Sequence, residues 1–440
     1  MDGIGKSRGN LFSWLNSSFL KDGLALMTGS AWAQLIAFVA YIVLARLFTP
    51  EEIGIYNIFY SYVDIFIIVS TGKYELAVVI ATDDDEARAL SRLSLRLNAL
   101  ISCLLIAVVV VLHIAFPRSG VALVDSNFYT ALLIPPMVFF CGTSRVYTSL
   151  LNRMRRFKAM GVSEMIGSTT GVVSKILMGL PRWVGSTLHS VALPIGTVIG
   201  KICGNMCLRL SVPKNILDVK PQRGAVRNAA AKYRNFPLYT MPKDFVSSIS
   251  HNLPFIWIAA YFDKAYVGLF AMALTFTFRP VNILNGVFEK LLYVRLAERK
   301  KNGVAVMPLI KRFILCVSAI ALPFFVIGFV LADPILGFLF GGKWTGCGVY
   351  VRMLLPWIYV MLTSSSLVCV ANVFSRQRAE FVFSLALLAM RVCALAIGLS
   401  SGSFQTAIGL FSVAGMVACL SLTVWYLHVV RSYDKGVSAG

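Results

Sequence analysis

Acid is scarce in this sequence. Aspartate and glutamate number 20 in 440 residues, against 41 lysines and arginines, and the charged types together make up 14%. A soluble domain carries about 25%, so a water-soluble globule is excluded. Histidine occurs four times, never beside a cysteine pair, so no zinc site is expected. Most of the nine cysteines fall in apolar runs, where a thiol packs as a small hydrophobe. Cys203 and Cys207 stand four apart with no second pair nearby, and no disulfide framework is visible. A phosphate loop is missing too: "GIGKS" at Gly3–Ser7 lacks the upstream glycine and the preceding strand. ATP hydrolysis within the chain is therefore not expected, nor is any cofactor.

What is present is apolar sequence, 58% of the chain. Runs of about twenty such residues mark membrane spans. They fall at 24–48, 53–80, 97–116, 129–151, 161–180, 187–210, 238–262, 266–294, 313–332, 349–374, 380–401 and 404–428. The expected fold is all-α and polytopic, with twelve transmembrane helices. Residues 1–23 read as a cytoplasmic or interfacial N-terminus without a cleavable signal, "LFSWLNSSFL" (11–20) lying in the interface. A six-helix bundle follows at 24–210, then a basic cytoplasmic linker at 211–237, a second bundle at 238–428 and a cytoplasmic tail at 429–440. With these bounds 26 lysines and arginines fall on the side of the termini, four on the opposite side and eleven within spans, Arg46 and Arg209 among them at span ends. The asymmetry places both termini in the cytoplasm. It also gives the net charge of +21 a topological origin rather than a nucleic-acid one. The outer loops, 117–128 and 333–348 at the longest, leave no room for a folded catalytic domain.

The two halves overlay. A shift of 214 sets Phe48 on Phe262, Gly54 on Gly268, Gly72 on Gly286 and Glu75 on Glu289. A shift of 221 sets Tyr129 on Tyr350 and Pro135 on Pro356. Six spans per half make the repeats parallel, a geometry of secondary transporters whose substrate site lies between halves. "STGKYE" and "LNGVFEK" then occupy corresponding places, each with a glycine that permits helix irregularity and a glutamate beyond it. A discontinuity is expected at both, and a recurring one points to the transport site.

Charge at bilayer depth costs about 2.5–3.5 kcal/mol per residue on insertion scales, so the intramembrane charges are the candidates. Lys73, Arg145, Lys175, Lys243, Arg279 and Lys290 are expected to bind an anionic substrate. Asp64, Glu75, Asp244 and Glu289 are expected to couple an ion, proton or sodium, with Asp64 the better proton site because it stands apart from the cations. Structural alternatives stay open. Lys73 could snorkel to the surface, Glu75 could lie at a helix end, and Arg279 could brace the carbonyl freed where Pro280 breaks its helix. Lys201, Arg352 and Arg391 lie near span ends and could snorkel, and Glu164 could neutralise a cation.

The stretch "ARLFTPEEIGIY", then "STGKYELAVV" and the acidic segment after it, resembles the N-terminal signature of bacterial polysaccharide-repeat flippases. These are the O-antigen and related translocases of the multidrug/oligosaccharidyl-lipid/polysaccharide (MOP) superfamily. "FGGKWTGCGVYVRMLLPW" (340–357) is similar to a later stretch of that family. The resemblance implies a MATE-like pair of six-helix bundles, alternating access, residence in the bacterial inner membrane and an undecaprenyl-diphosphate-linked oligosaccharide as cargo. A polysaccharide polymerase and a chain-length regulator are the implied protein partners; membrane lipid is the surrounding solvent, and nucleic acid is not a partner. Two rivals remain. A drug or cation antiporter of the same superfamily predicts acids around the cavity. A lipid-carrier-dependent polymerase or ligase predicts a large outer loop.

Overall fold

The computed structural model describes residues 39–115, 128–180, 186–213, 224–344, 346–374 and 376–439. The expected N-terminal segment, the start of the first span, loop residues 117–127 and linker residues 214–223 lie outside the described residues. Among the described residues every regular element is helical, and the described parts of the expected spans lie mainly on helix, the first being described only from residue 39. Six of these helices are long and apolar enough to cross a bilayer on their own: Pro50–Ser70, Asp84–Ala115, His189–Ser211, Met307–Val330, Cys347–Ala371 and Phe404–Lys435. The protein is an all-α, multi-pass membrane protein. The chain divides into two compact units, one ending at Ala260 and one beginning at Tyr261.

In the first unit, a helical stretch at 39–47 leads into α1 (Pro50–Ser70). Thr49 and Glu52 start α1 with a capping box, the Glu52 N–H donating to Thr49 Oγ1 at 3.3 Å and the Thr49 N–H donating to Glu52 Oε2 at 2.7 Å. Such a cap contributes about 1 kcal/mol. α1 stops where Gly72 and Lys73 adopt φ of +62° and +60°. A short α2 (Tyr74–Ile80) resumes from this corner. α3 (Asp84–Ala115) is 32 residues long, about 48 Å at 1.5 Å per residue, well beyond the bilayer core. Its buried face carries Ser91, Ser94, Asn98, Ser102, Leu105 and Val109, a helical spacing that turns one polar-to-apolar stripe inward. α4 (Phe128–Leu132) breaks at Leu133 before α5 (Ile134–Arg153), whose first turn contains Pro135.

α6 (Phe157–Gly179) and α7 (Ser186–Ser211) pack backbone to backbone. A Cβ on Gly200 would meet the Gly167 carbonyl at 2.5 Å, so only glycine fits there. Ser163 adds a hydroxyl bond to the Gly204 carbonyl at 2.7 Å, the small-residue and polar pattern expected of helices without a hydrophobic drive to associate. The described part of the linker holds α8 (Ala225–Lys232). It packs Ala229, Val226 and Tyr233 against Ala87, Leu90 and Leu208. After a π turn at Phe236–Thr240 comes α9 (Met241–Tyr261). The sequence places α9 at the head of the second bundle; in the structure all but its last residue groups with the first unit.

The second unit opens with α10 (Lys264–Lys301), a single helix of 38 residues. The discontinuity expected at "LNGVFEK" is absent: α10 runs unbroken through 286–289, and no residue of it has positive φ. Pro280 likewise lies inside the helix without ending it. The reason is local. A glycine permits a break, but the first unit makes one by holding two consecutive residues left-handed, and α10 has no such pair. Then follow α11 (Met307–Val330), α12 (Ala332–Phe340), α13 (Cys347–Ser366), α14 (Val368–Val373), α15 (Gln377–Ser400) and α16 (Phe404–Ala439). α13 is the core helix, burying Tyr350, Leu354, Trp357, Ile358 and Met361. α11 buries only 6% of its most apolar window and reads as lipid-facing. The described part of the expected tail, 429–439, continues α16, where Asp434 accepts from the Val306 and Met307 N–H groups, both at 2.8 Å. That pair of bonds satisfies orphan donors at the start of α11.

Candidate transport site

The corner between α1 and α2 places the first candidates. Left-handed backbone costs a side chain with a Cβ roughly 1 kcal/mol or more, so Lys73 must be held there. Its ammonium pairs with Asp244 Oδ2 on α9 at 2.8 Å, and Lys73 is 7% exposed. This is a buried lysine paired with a partly exposed aspartate rather than a snorkelling lysine. One helical turn after another, α9 continues the contact. The Ser248 hydroxyl donates to the Asp64 carbonyl at 3.0 Å, and the Asn252 amide donates to Asp64 Oδ2 at 3.0 Å. Glu75 is 2% exposed, and its Oε2 has no hydrogen-bond partner among the described residues. It is therefore not at a solvated helix end.

Lys175 on α6 lays its stem across Gly196. Its ammonium donates to the Tyr56 hydroxyl at 3.2 Å and sits 4.8 Å from that ring's centre. Thr197 donates to the same hydroxyl at 3.2 Å. Arg145 on α5 is half-buried. Its charge, with those of Lys201 and Asp64, acts on the buried thiol of Cys141. Neither Arg145 nor Lys175 pairs with a carboxylate among the described residues. Asn98 bridges α3 to α5 through the Phe139 carbonyl at 2.8 Å and Thr143 Oγ1 at 3.2 Å. Lys243 and Lys201 are exposed, and so is Glu164.

In the second unit Arg279 is exposed and Glu289 half-buried. Glu289 acts electrostatically on Cys369. Lys290 lies on α10 with its side chain outside the described set. Arg352 bonds Asp333 and, at 3.1 Å, the Phe329 carbonyl, which makes it a brace. Arg391 lies over the Trp357 ring at 5.1 Å, so its guanidinium points into the unit.

Ser248, Asn252 and His189 escaped the sequence reading. Asp244, Ser248 and Asn252 stand at i, i+4 and i+8 in an apolar helix, a polar stripe that was there to be read. His189 was not legible: its Nδ1 meets Glu52 Oε1 at 2.5 Å across 137 residues. At the α2–α3 end, a cavity of about 430 Å³ is lined by Asp84, Arg153 and Met154. Arg153 is committed there to Asp84 at 3.2 Å and to the Ala81 carbonyl. Beside it Lys232 of the linker pairs with Glu86 at 2.7 Å, and that carboxylate holds the ammonium above the ordinary lysine range. No group of three His, Cys, Asp or Glu suited to a metal occurs among the described residues.

The fold is that of MOP-superfamily transporters. It is similar to an inward-facing multidrug resistance MATE family transporter at 12% identity, covering 91% of this chain and 96% of that one, with a TM-score of 0.72. It is similar also to the lipid II flippase MurJ in an inward closed conformation, at 12% identity, 94% and 91% coverage and a TM-score of 0.71. No curated protein matches the chain. Residues 43–349 match the family described as polysaccharide biosynthesis protein, and the chain belongs to that family.

Proposed function

We propose that the protein flips undecaprenyl-diphosphate-linked oligosaccharide repeat units across the bacterial inner membrane, for O-antigen or capsule-type assembly, by alternating access. Both termini are cytoplasmic in this reading. The observation that carries it is the pair Arg145 and Lys175, two intramembrane cations without a carboxylate partner among the described residues. Uncompensated charge at that depth is expensive, and an anionic cargo compensates it. A diphosphate offers several charged oxygens to such cations. Lys73, Lys243, Arg279 and Lys290 are assigned to the same cargo path, and Asp64, Glu75, Asp244 and Glu289 to ion coupling with protons or sodium. Family membership supports the polysaccharide side of the reading. A polymerase and a chain-length regulator would act on the product; no cofactor or nucleic acid takes part.

Deleting the gene should stop surface glycan while lipid-linked repeat units accumulate on the cytoplasmic face. Single units reaching the surface without polymerising would instead support the polymerase reading. Export of organic cations with normal glycan would support the antiporter.

A further inference from the structure

We infer that Arg391 is an anion site inside the second unit, holding a phosphate of the cargo while that cargo crosses the membrane. The inference rests on the flippase reading above and deepens it by adding a cargo contact at a residue outside the path named there. Arg391 stands eleven residues after the start of the expected span 380–401 and ten before its end, so it is not at a span end. Either end is roughly 15 Å away at 1.5 Å per residue. In a hydrocarbon core of about 30 Å that is close to the midplane, where charge is least tolerated.

The face on which Arg391 lies decides where its charge goes. α15 turns Val382, Leu385, Ala389, Cys393 and Ile397 outward, all of them exposed, at the spacing of one helix face. Arg391 lies on the opposite face, four and eight residues before Leu395 and Leu399, which are buried. Its guanidinium accordingly goes inward, over the Trp357 ring at 5.1 Å, and not to the lipid. That ring is fixed in place: a Cβ on Gly415 would meet it at 2.6 Å, and the Phe411 ring stands edge-on to it at 5.4 Å between centres.

Nothing in this setting neutralises the charge. Arg391 makes no hydrogen bond or ion pair among the described residues, and its Nε is sealed without a partner. α13 contains no aspartate or glutamate, α16 none before Asp434, and α15 only Glu380, eleven residues away. The titratable group that acts on Arg391 is the Cys419 thiol, which is no counter-ion. Stacking on an indole recovers less than a guanidinium loses on leaving water, so the ring positions the charge without compensating it. Only Nε is sealed in this way, which leaves Nη1 and Nη2 as the open end of a planar fork. Two parallel N–H donors match two oxygens of one phosphate. A bilayer phospholipid keeps its phosphate at the interface, beyond the reach of a side chain at this depth. A phosphate that crosses the membrane must pass this depth.

The test is native mass spectrometry of the purified full-length protein in detergent, titrated with undecaprenyl diphosphate and, as the uncharged counterpart, undecaprenol. Arg391→Gln should lower affinity for the diphosphate by about tenfold or more and leave undecaprenol unchanged. Equal affinity of Arg391→Gln and wild type for the diphosphate overturns the inference. So does an equal loss for both lipids, which a packing role would give. Displacement of the diphosphate from wild type by excess phosphatidylglycerol overturns it too, by giving the site to a bilayer phospholipid. Should Arg391→Gln not elute as a single species, the tryptophan emission of wild type decides. The component that Trp357→Phe removes should change on adding the diphosphate and not on adding undecaprenol; the same response to both lipids overturns the inference. A wild type that binds both lipids alike contradicts the proposed cargo itself, whereas a diphosphate preference that Arg391→Gln retains contradicts this site alone.

Discussion

Lys73 carries three burdens: an apolar setting, a left-handed backbone and an ion pair. Removing the ammonium leaves Asp244 without its partner and the corner without its tie. Because Asp244 is partly exposed, the cost is expected at about 1–3 kcal/mol, below that of a fully buried pair. Each 1.4 kcal/mol is about a tenfold change in an equilibrium. Lys73→Ala should therefore reduce glycan export by about tenfold or more in a complementation assay at equal protein level, while Lys73→Arg retains part of it. Arginine keeps the charge but substitutes a planar fork for a point donor. Normal export by Lys73→Ala would return the lysine to a purely structural role. The glycine and lysine of this corner were legible because charge inside an apolar run is rare. Its partner was not legible: Asp244 lies 171 residues on, and nothing local in "MPKDF" indicates what it faces.

Among the elements, α6 and α7 are locked by glycine. Gly200→Leu should drive its side chain into the Gly167 carbonyl and destabilise the first unit by about 1–3 kcal/mol, the usual cost of overpacking. Thermal unfolding in detergent measures it. Gly409→Ala on α16 is the control, since nothing lies within 4 Å of a Cβ there, and it should leave the midpoint equal or higher. An unchanged midpoint for Gly200→Leu would mean that the two helices are not held this closely. Helix positions followed from the apolar runs, because twenty such residues have few other places to go. Breaks did not follow. Gly72 and Gly286 look alike in sequence, yet only the first is followed by a residue that a partner holds left-handed. Arg391 also misled: it stands at the middle of the expected span 380–401, too deep to snorkel, and its stacking on Trp357 shows only in the packing.

For the whole molecule, the lysine and arginine asymmetry makes a sharp prediction. A reporter fused after Gly440 should be active only if it functions in the cytoplasm; strong periplasmic reporter activity would overturn the even span count. The passage of the chain from one unit to the next runs through α9, and the form of its attachment has a mechanical consequence. Lys73 and Asp64 are nine residues apart, and their partners Asp244 and Asn252 are eight apart in the opposite sense. The two segments therefore run antiparallel, fastened at Asp244, Ser248 and Asn252 like the teeth of a zip. A fastening of this kind opens from one end. Each tooth gives way separately, so a helix that would resist being lifted off whole can be peeled away in steps, each small enough for thermal motion to supply.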